Sequence, residues 1–420
     1  MKKEKIRRGI CVAVLSTLGA WMASAQASGF RIPEVSTAGL GTANALVANP
    51  EELGALPYNP AAMGFHDYTA VEAGLSVVFP TTTVKNSAGS NDSEADTPFL
   101  IPNFYLTAPA GNNWFVGLSI NAPFGLETKY EPGTFPGFGG SASAAPTTSA
   151  LKMVNINPNA AVKLGANTSF AFGLDYYKID DLKFDTVGSK TRGDGADWGW
   201  NAAFLHSAGS WSIGASYRSK VKVDIDGYTS TSTGTIGAKT ELEFPAMAQI
   251  GARFKATEKM AVEFDYEWTD WKSFDTLTIE ATTSVPPLGI SPGTVLVNSA
   301  NDWTSSSAYR IGVTYALSQK TQLRFGYALD ETPQPDKNFT ARIPDADRQL
   351  LSFGVKQDVG DGWDWEGGVM YVLWDDRKIN SSTALSGGPI PAPDPNGTSA
   401  FNGKYESDAW LIGLGVGKKF

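Results

Sequence analysis

The 420-residue chain has almost no cysteine. Cys11 is the only one, and it lies in an apolar N-terminal stretch. Once that stretch is removed no thiol remains, which excludes disulfides and thiol chemistry. Imidazole is scarce too: His66 and His206 are the only two. They stand far apart, so no His/Cys metal site is expected and no metal is assigned. A serine hydrolase would have to pair His206 with Ser207 or Ser210. No Gly-x-Ser-x-Gly elbow is present, a polar turn is the ordinary reading, and no catalytic residue is assigned. "GLGVG" at 413–417 sits in a strand-like segment with no helix after it, so it is not a nucleotide site and no cofactor is expected. "DIDG" and "PDPNG" read as acidic turns before calcium loops. No motif for ATP appears, so any transport would be passive.

Long hydrophobic runs are missing as well. Past the N-terminus no segment is apolar enough to span a membrane as a helix. Positive charge is also in deficit, with 34 Lys and Arg against 43 Asp and Glu, a net −9. Residues 1–27 hold five basic residues and one acidic, so +4, and the remainder carries −9 − 4 = −13. Such an acidic, exported chain is a poor nucleic-acid binder.

What is present begins with a targeting pattern. Lys2, Lys3, Lys5, Arg7 and Arg8 form a basic start, Ile10–Met22 is apolar, and Ala25-Gln26-Ala27 fits a small-x-small cleavage site. Residues 1–27 therefore read as a secretory signal.

Beyond it, period-two alternation is long and frequent. In "TQLRFGYALD", Leu323, Phe325, Tyr327 and Leu329 share one face, while Gln322, Arg324, Gly326, Ala328 and Asp330 share the other. "MAVEFDYEWTD", "WSIGASYRSKVKVDI" and "DAWLIGLGVGKKF" alternate likewise. Ten or more alternating residues match tilted membrane strands of about 9–11 residues. Fourteen strands are expected, near 68–80, 101–109, 114–122, 152–164, 169–184, 197–207, 211–225, 240–254, 260–273, 307–317, 321–330, 348–357, 363–379 and 405–420. Tight turns such as "AGNN", "GAN" and "SQK" alternate with longer connections at 81–100, 123–151, 185–196, 226–239, 274–306, 331–347 and 380–404. Short turns at one end and long loops at the other describe an outer-membrane barrel, and the strand number is even. In hydrocarbon every backbone polar group needs an internal partner, and a closed sheet supplies them all. Trp114, Trp198, Trp211, Trp268, Trp363 and Trp410 lie near strand ends, as interfacial girdles do.

The fold class expected is thus an all-β membrane protein. It is a fourteen-stranded antiparallel outer-membrane barrel over residues 68–420, with residues 28–67 as an N-terminal plug containing short helices. A lumen of that width is too wide for wall side chains to fill. Within 28–67, "YNPAAMGF" (Tyr58–Phe65) stands out, its Asn-Pro step marking a turn and Pro60–Met63 opening a short helical turn.

The run "SGF…STAGLGTANALVA" followed by "YNPAAM" resembles the start of the FadL-type long-chain fatty-acid transporters. So do "PFGLETKY", "DWGWNAAFL", "YRSKVKVDIDG", "AYRIGVTY" and "DETPQPDKNFTARIPDADRQLLSFG", in order across nearly the whole mature chain. The resemblance implies passive uptake of long-chain fatty acids or other hydrophobic molecules across the outer membrane of a Gram-negative cell. It implies a hydrophobic pocket near the mature N-terminus and a lateral exit at an inward kink of the third strand. Phe30 matches the substrate-touching aromatic, Asn59, Pro60 and Ala61 match the hatch motif, and Pro123, Phe124 and Gly125 fall at the kink. Pro lacks a ladder donor and Gly packs poorly in a strand, so a break there is physically reasonable. A family basic residue that meets the carboxylate aligns near Lys183, the candidate carboxylate contact, beside Asp180, Asp181 and Asp185. A second aligns near Asn301, which is uncharged. The third external connection, 185–196, is short for a surface capture groove. The expected partners are the hydrophobic small molecule and outer-membrane lipid, with the protein a monomer. The alternatives are a carrier of aromatic hydrocarbons, a structural or adhesion barrel, and an outer-membrane lipid hydrolase.

Overall fold

The computed structural model describes residues 29–94, 98–382 and 399–420. The signal expected at 1–27 and the "PDPNG" turn lie outside the described residues. Fourteen strands form the wall. They are β1 (Ala70–Asn86), β2 (Phe99–Pro109), β3 (Trp114–Asn121, resuming as Gly125–Lys129), β4 (Pro146–Leu164) and β5 (Thr168–Thr186). Next come β6 (Ser189–Ala208), β7 (Trp211–Arg218 and Val221–Thr231), β8 (Gly234–Phe244 and Met247–Lys255), β9 (Met260–Thr269) and β10 (Ser306–Ala316). The last four are β11 (Thr321–Asp330), β12 (Arg348–Gly360), β13 (Trp363–Trp374) and β14 (Gly403–Lys419). Strand β1 pairs antiparallel with both β2 and β14, so the sheet closes on itself. Among the described residues no helix is long and apolar enough to cross a membrane; the strands do the crossing.

The alternation in the sequence has the expected result. Phe170, Phe172, Leu174, Ile213, Ile250, Phe264, Ile412 and Leu414 are exposed around the outside, an apolar band for lipid. Trp114, Trp211 and Trp363 are exposed at strand starts, whereas Trp198 and Trp410, also exposed, lie mid-strand because β6 and β14 run on beyond the expected ends. The intervening residues, among them Asn155, Asn157, Asp175, Asn201, Asp265 and Arg324, are buried toward the lumen.

Several connections differ from the sequence reading. Residues 185–196 and 226–239 are not loops: β5 and β6 meet at a two-residue turn after Thr186, and β7 and β8 meet at another after Thr231. Within 274–306 a further hairpin, Thr276–Ala281 with Val295–Ala300, extends the same sheet. Strand β4 starts at Pro146 rather than 152. In these extensions one face still packs, as Thr191, Ile236, Ala238, Ile279 and Ala281 do, but Gly, Ser, Thr and charged residues dilute the apolar alternation while backbone pairing continues. Strands β7 and β8 are also each interrupted, at 219–220 and 245–246, where the reading ran straight through.

Residues 29–67 are almost wholly buried against the inner face of the wall. The helix Thr37–Gly41 is N-capped by Ser36, whose Oγ accepts from Gly39 N at 2.9 Å. It sits on wall glycines: a Cβ at Gly326 would overlap the backbone of Thr42 and Ala43, and one at Gly354 would press on Gly41. Only a wall without side chains there lets this helix lie so close.

Ion pairs and hydrogen bonds join the segment to the wall. Arg324 of β11 pairs with Glu52 at 3.0 Å, and Lys356 of β12 does the same at 3.0 Å. Val47 N donates to Asp265 Oδ2 at 3.0 Å, and Ala48 N to Glu263 Oε1 at 2.6 Å. Charged groups in a low-dielectric lumen are held only when paired in this way.

Candidate functional site

The third strand breaks where "NAPFG" falls. Up to Ile120, β3 pairs with Phe104–Pro109 of β2. Beyond the break, Gly125–Lys129 pairs with β4 alone. The Phe99–Asn103 half of β2 therefore has β1 on one side and no wall strand on the other. Pro123 carries no N–H, which suits a position that leaves the ladder.

Residues 30–32 of the N-terminal segment run beside the broken stretch. Arg31 bridges to Phe124 in antiparallel fashion. Ile32 N donates to Pro123 O at 2.9 Å, and Gly125 N donates to Phe30 O at 3.0 Å. Phe30, Pro123, Phe124 and Gly125 are thus brought together.

The Phe30 side chain is 4% exposed and sits in a nest of rings. Trp271 lies 4.6 Å away between centroids, Phe274 5.4 Å, Trp303 5.9 Å, Phe124 6.1 Å and Phe244 6.4 Å. Most of these contacts are edge-on or tilted, the geometry that aromatic quadrupoles prefer. Leu151, Val223 and Leu242 complete the apolar surroundings. Trp271, Phe274 and Trp303 come from the long 270–305 connection. The strand expected at 260–273 ends at Thr269, so Trp271 leaves the wall. Phe274 and Trp303 fell in the expected 274–306 connection as bulky aromatics among polar residues, and the strand-based reading passed over all three.

Two cavities adjoin Phe30. One, of about 860 Å³, runs beside the break and is lined by Phe30, Arg31, Leu100, Ile101, Phe104, Phe124, Leu126, Arg342, Arg348 and Trp374, among others. The other, of about 70 Å³, is lined by Phe30, Leu126, Leu151, Lys183, Leu242, Phe274, Asn301 and Arg342. Lys183 thus lines the smaller cavity, with its Nζ paired to Asp181 at 3.0 Å. Arg342 borders both cavities. Its guanidinium lies 3.6 Å from the centre of the Phe184 ring and donates to Ser149 Oγ at 3.0 Å and Asp185 O at 2.9 Å. Stacking on a ring is a habit of the planar guanidinium. Nothing in the reading of the sequence singled out Arg342.

Asn59, Pro60 and Ala61 lie apart from this nest, in a second apolar cluster with Leu46, Leu56, Met63, Tyr105 and Leu205. Asn59 Oδ1 accepts from Ala61 N at 3.0 Å and so caps the turn Pro60–Phe65. Its Nδ2 donates to Val47 O at 2.6 Å and to Phe204 O of β6 at 2.9 Å. One side chain therefore ties together a helical turn, the preceding loop and the wall.

Asp345, in the external 331–347 connection, accepts from Gly29 N at 3.0 Å. Burial pushes its carboxyl up to about 6, against the opposing pull of Arg348.

A closed fourteen-stranded barrel with an apolar exterior, a filled lumen and an apolar site at a break in its wall is an outer-membrane transport protein. The chain belongs to the family described as "Outer membrane protein transport protein (OMPP1/FadL/TodX)", whose model matches residues 17–182 and 181–420. These are transporters of hydrophobic compounds in the Gram-negative outer membrane, not enzymes. The chain is 25% identical over 473 residues to the "Long-chain fatty acid transport protein" of Escherichia coli O6:H1, covering 98% of this chain and 97% of that one. It is 25% identical over 397 residues to "Outer membrane protein P1" of Haemophilus influenzae, covering 79% and 83%. In three dimensions it resembles a Pseudomonas aeruginosa FadL homologue with a TM-score of 0.76 at 16% identity, over 94% of this chain and 100% of that one. It resembles the Ralstonia pickettii toluene transporter TbuX with a TM-score of 0.65 at 15% identity, over 92% and 99%. Both likenesses are of fold.

Proposed function

We propose that this protein carries hydrophobic molecules passively from the outer surface through the site at Phe30 and out sideways beside the break in β3. The observation that carries the reading is the coincidence of three features at one place. The wall ladder is interrupted after Ile120, a cavity of about 860 Å³ borders the interruption, and Phe30 stands at the cavity's edge within a ring-lined nest. A substrate there leaves water for apolar contact, worth about 0.8 kcal/mol per buried methylene, so a long chain needs no energy source to enter. Leu126, Ile101 and Leu100 continue an apolar side of this cavity toward the lipid, where Leu100 is exposed. The N-terminal segment, with Asn59–Ala61 holding its far end, acts as the gate.

Long-chain fatty acids or comparable amphiphiles are the favoured substrates. Arg342 and Lys183 offer cations at the cavity walls where a carboxylate would rest, and the E. coli relative bears the name of a fatty-acid transport protein. Aromatic hydrocarbons are the second reading. The ring nest suits them, and the Ralstonia neighbour is titled a toluene transporter.

The test is uptake of labelled oleate and labelled toluene by cells lacking their own carriers. Leu126→Arg places a charge in both cavities and should cut uptake at least about tenfold, because an unpaired charge is costly in an apolar passage. Full uptake by a correctly folded Leu126→Arg variant would eliminate the lateral route. Oleate uptake lost in Arg342→Ala while toluene uptake persists would assign the carboxylate contact.

A further inference from the structure

We infer that Arg31 is a positioning residue that latches the gate segment shut, through an ion pair to Glu267 on the far side of the lumen. The inference rests on the uptake reading above for its consequence, and on geometry for its substance. Residues 30–32 are held to β3 by two backbone hydrogen bonds, Ile32 N to Pro123 O at 2.9 Å and Gly125 N to Phe30 O at 3.0 Å. Two such bonds, flanked by an apolar nest, are a weak anchor. The Arg31 side chain reaches instead to Glu267 of β9, nearly opposite β3 in a fourteen-stranded wall. Arg31 is 8% exposed and Glu267 1%, so water screens little of their attraction.

The wall is arranged to tolerate release of this pair. Glu267 is also approached by Arg310 at 3.4 Å and accepts from the Gln249 amide. If Arg31 swings away, the carboxylate is not stranded without a partner, which is the usual penalty for breaking a buried ion pair. On the other side of the pair, Arg31 Nε makes no hydrogen bond, so the guanidinium is secured by the carboxylate and little else. The contact is therefore strong enough to hold the segment and cheap enough to break. Breaking it frees Phe30 and Ile32 together, since they flank Arg31, and removes the strand-like patch from Pro123–Gly125. A ligand competing with Phe30 works against this closed state, so its apparent affinity is lowered by the fraction of molecules latched.

Hydrogen exchange on the reconstituted full-length protein tests the latch without any ligand. Arg31→Gln should speed exchange at the Ile32 and Gly125 amides by about tenfold and leave the Ala61 amide unchanged. Arg31→Lys, which keeps the charge, should restore most of the protection. Equal exchange in wild type and Arg31→Gln, or acceleration spread to Ala61, would overturn the inference, since a general structural role predicts the latter. Arg31→Met is the second variant. If neither neutral variant gives a folded barrel by heat-shifted gel mobility, Arg31 belongs to the fold and not to a latch. Labelled oleate binding is measured alongside and should tighten by about tenfold in Arg31→Gln. Weaker binding in that variant counts against the latch. A wild-type protein that neither binds nor takes up oleate or toluene sinks the uptake reading, and the exchange data still decide the latch.

Discussion

At the scale of single residues, the sequence marked some positions by their chemistry and hid others. Asn59 was legible because Asn before Pro has a restricted set of roles, and the structure finds it capping the turn with its Oδ1 and bonding Val47 and Phe204 with its Nδ2. Phe30 was singled out by resemblance alone, because one aromatic near a chain start carries no pattern. Arg31, Arg342 and Trp303 were not legible, since each lies in a stretch without periodicity and gains its place from strands far away in sequence.

Asp345 gives a prediction at this scale. Its folded value, about 6, stands above the ordinary 3.8, so the folded chain holds a proton that the unfolded chain releases. Its contribution to stability is complete below 3.8 and declines as pH rises to about 6. Asp345→Asn should flatten that part of the stability-against-pH curve, and urea midpoints of the two proteins between those limits would measure it. Identical curves would place the sensitivity elsewhere.

Among elements, strands inside the lipid were readable and strands above it were not. Lipid on one side and a polar lumen on the other impose alternation, and "TQLRFGYALD" shows it plainly as β11. The Lys190–Asp194 stretch of β6 pairs with Tyr228, Thr229 and their neighbours in β7 just as regularly, yet its buried face carries Thr191 against Thr229 and not a row of large apolar residues, so it leaves no apolar code. The glycines of the inner wall are a second feature that only packing explains. Gly326→Val should drive a side chain into the Thr42–Ala43 backbone, a clash that a flexible side chain cannot relieve. We expect destabilisation of about 3 kcal/mol and a rise in ion conductance in planar bilayers as the segment is pushed from the wall. Wild-type conductance and stability together would show that the segment has room to shift.

For the whole molecule, the decisive fact is that residues 29–67 occupy the lumen of a wall that closes without them. Strand β1 pairs with β14 over sixteen registered positions, Ala70–Lys85, and none of those bonds involves the segment. Deleting residues 29–67 should therefore leave a barrel that inserts and shifts on a gel with heating, but conducts ions as a wide pore. A deleted protein that fails to form a heat-shifted band would mean that the segment is needed for closure.

The sequence by itself determined the barrel, its strand number and its place in the outer membrane, because lipid forces an alternation on every spanning strand and a closed sheet is the way to satisfy their backbones. Tertiary structure decided how the N-terminal segment packs inside that barrel and which residues gather at the break in its wall. The meeting of Phe30 with Trp271 and Trp303, and of Arg31 with Glu267, joins residues more than two hundred positions apart. Such contacts are set by the closure of the wall and the path of one buried segment, and no local pattern of residues encodes them.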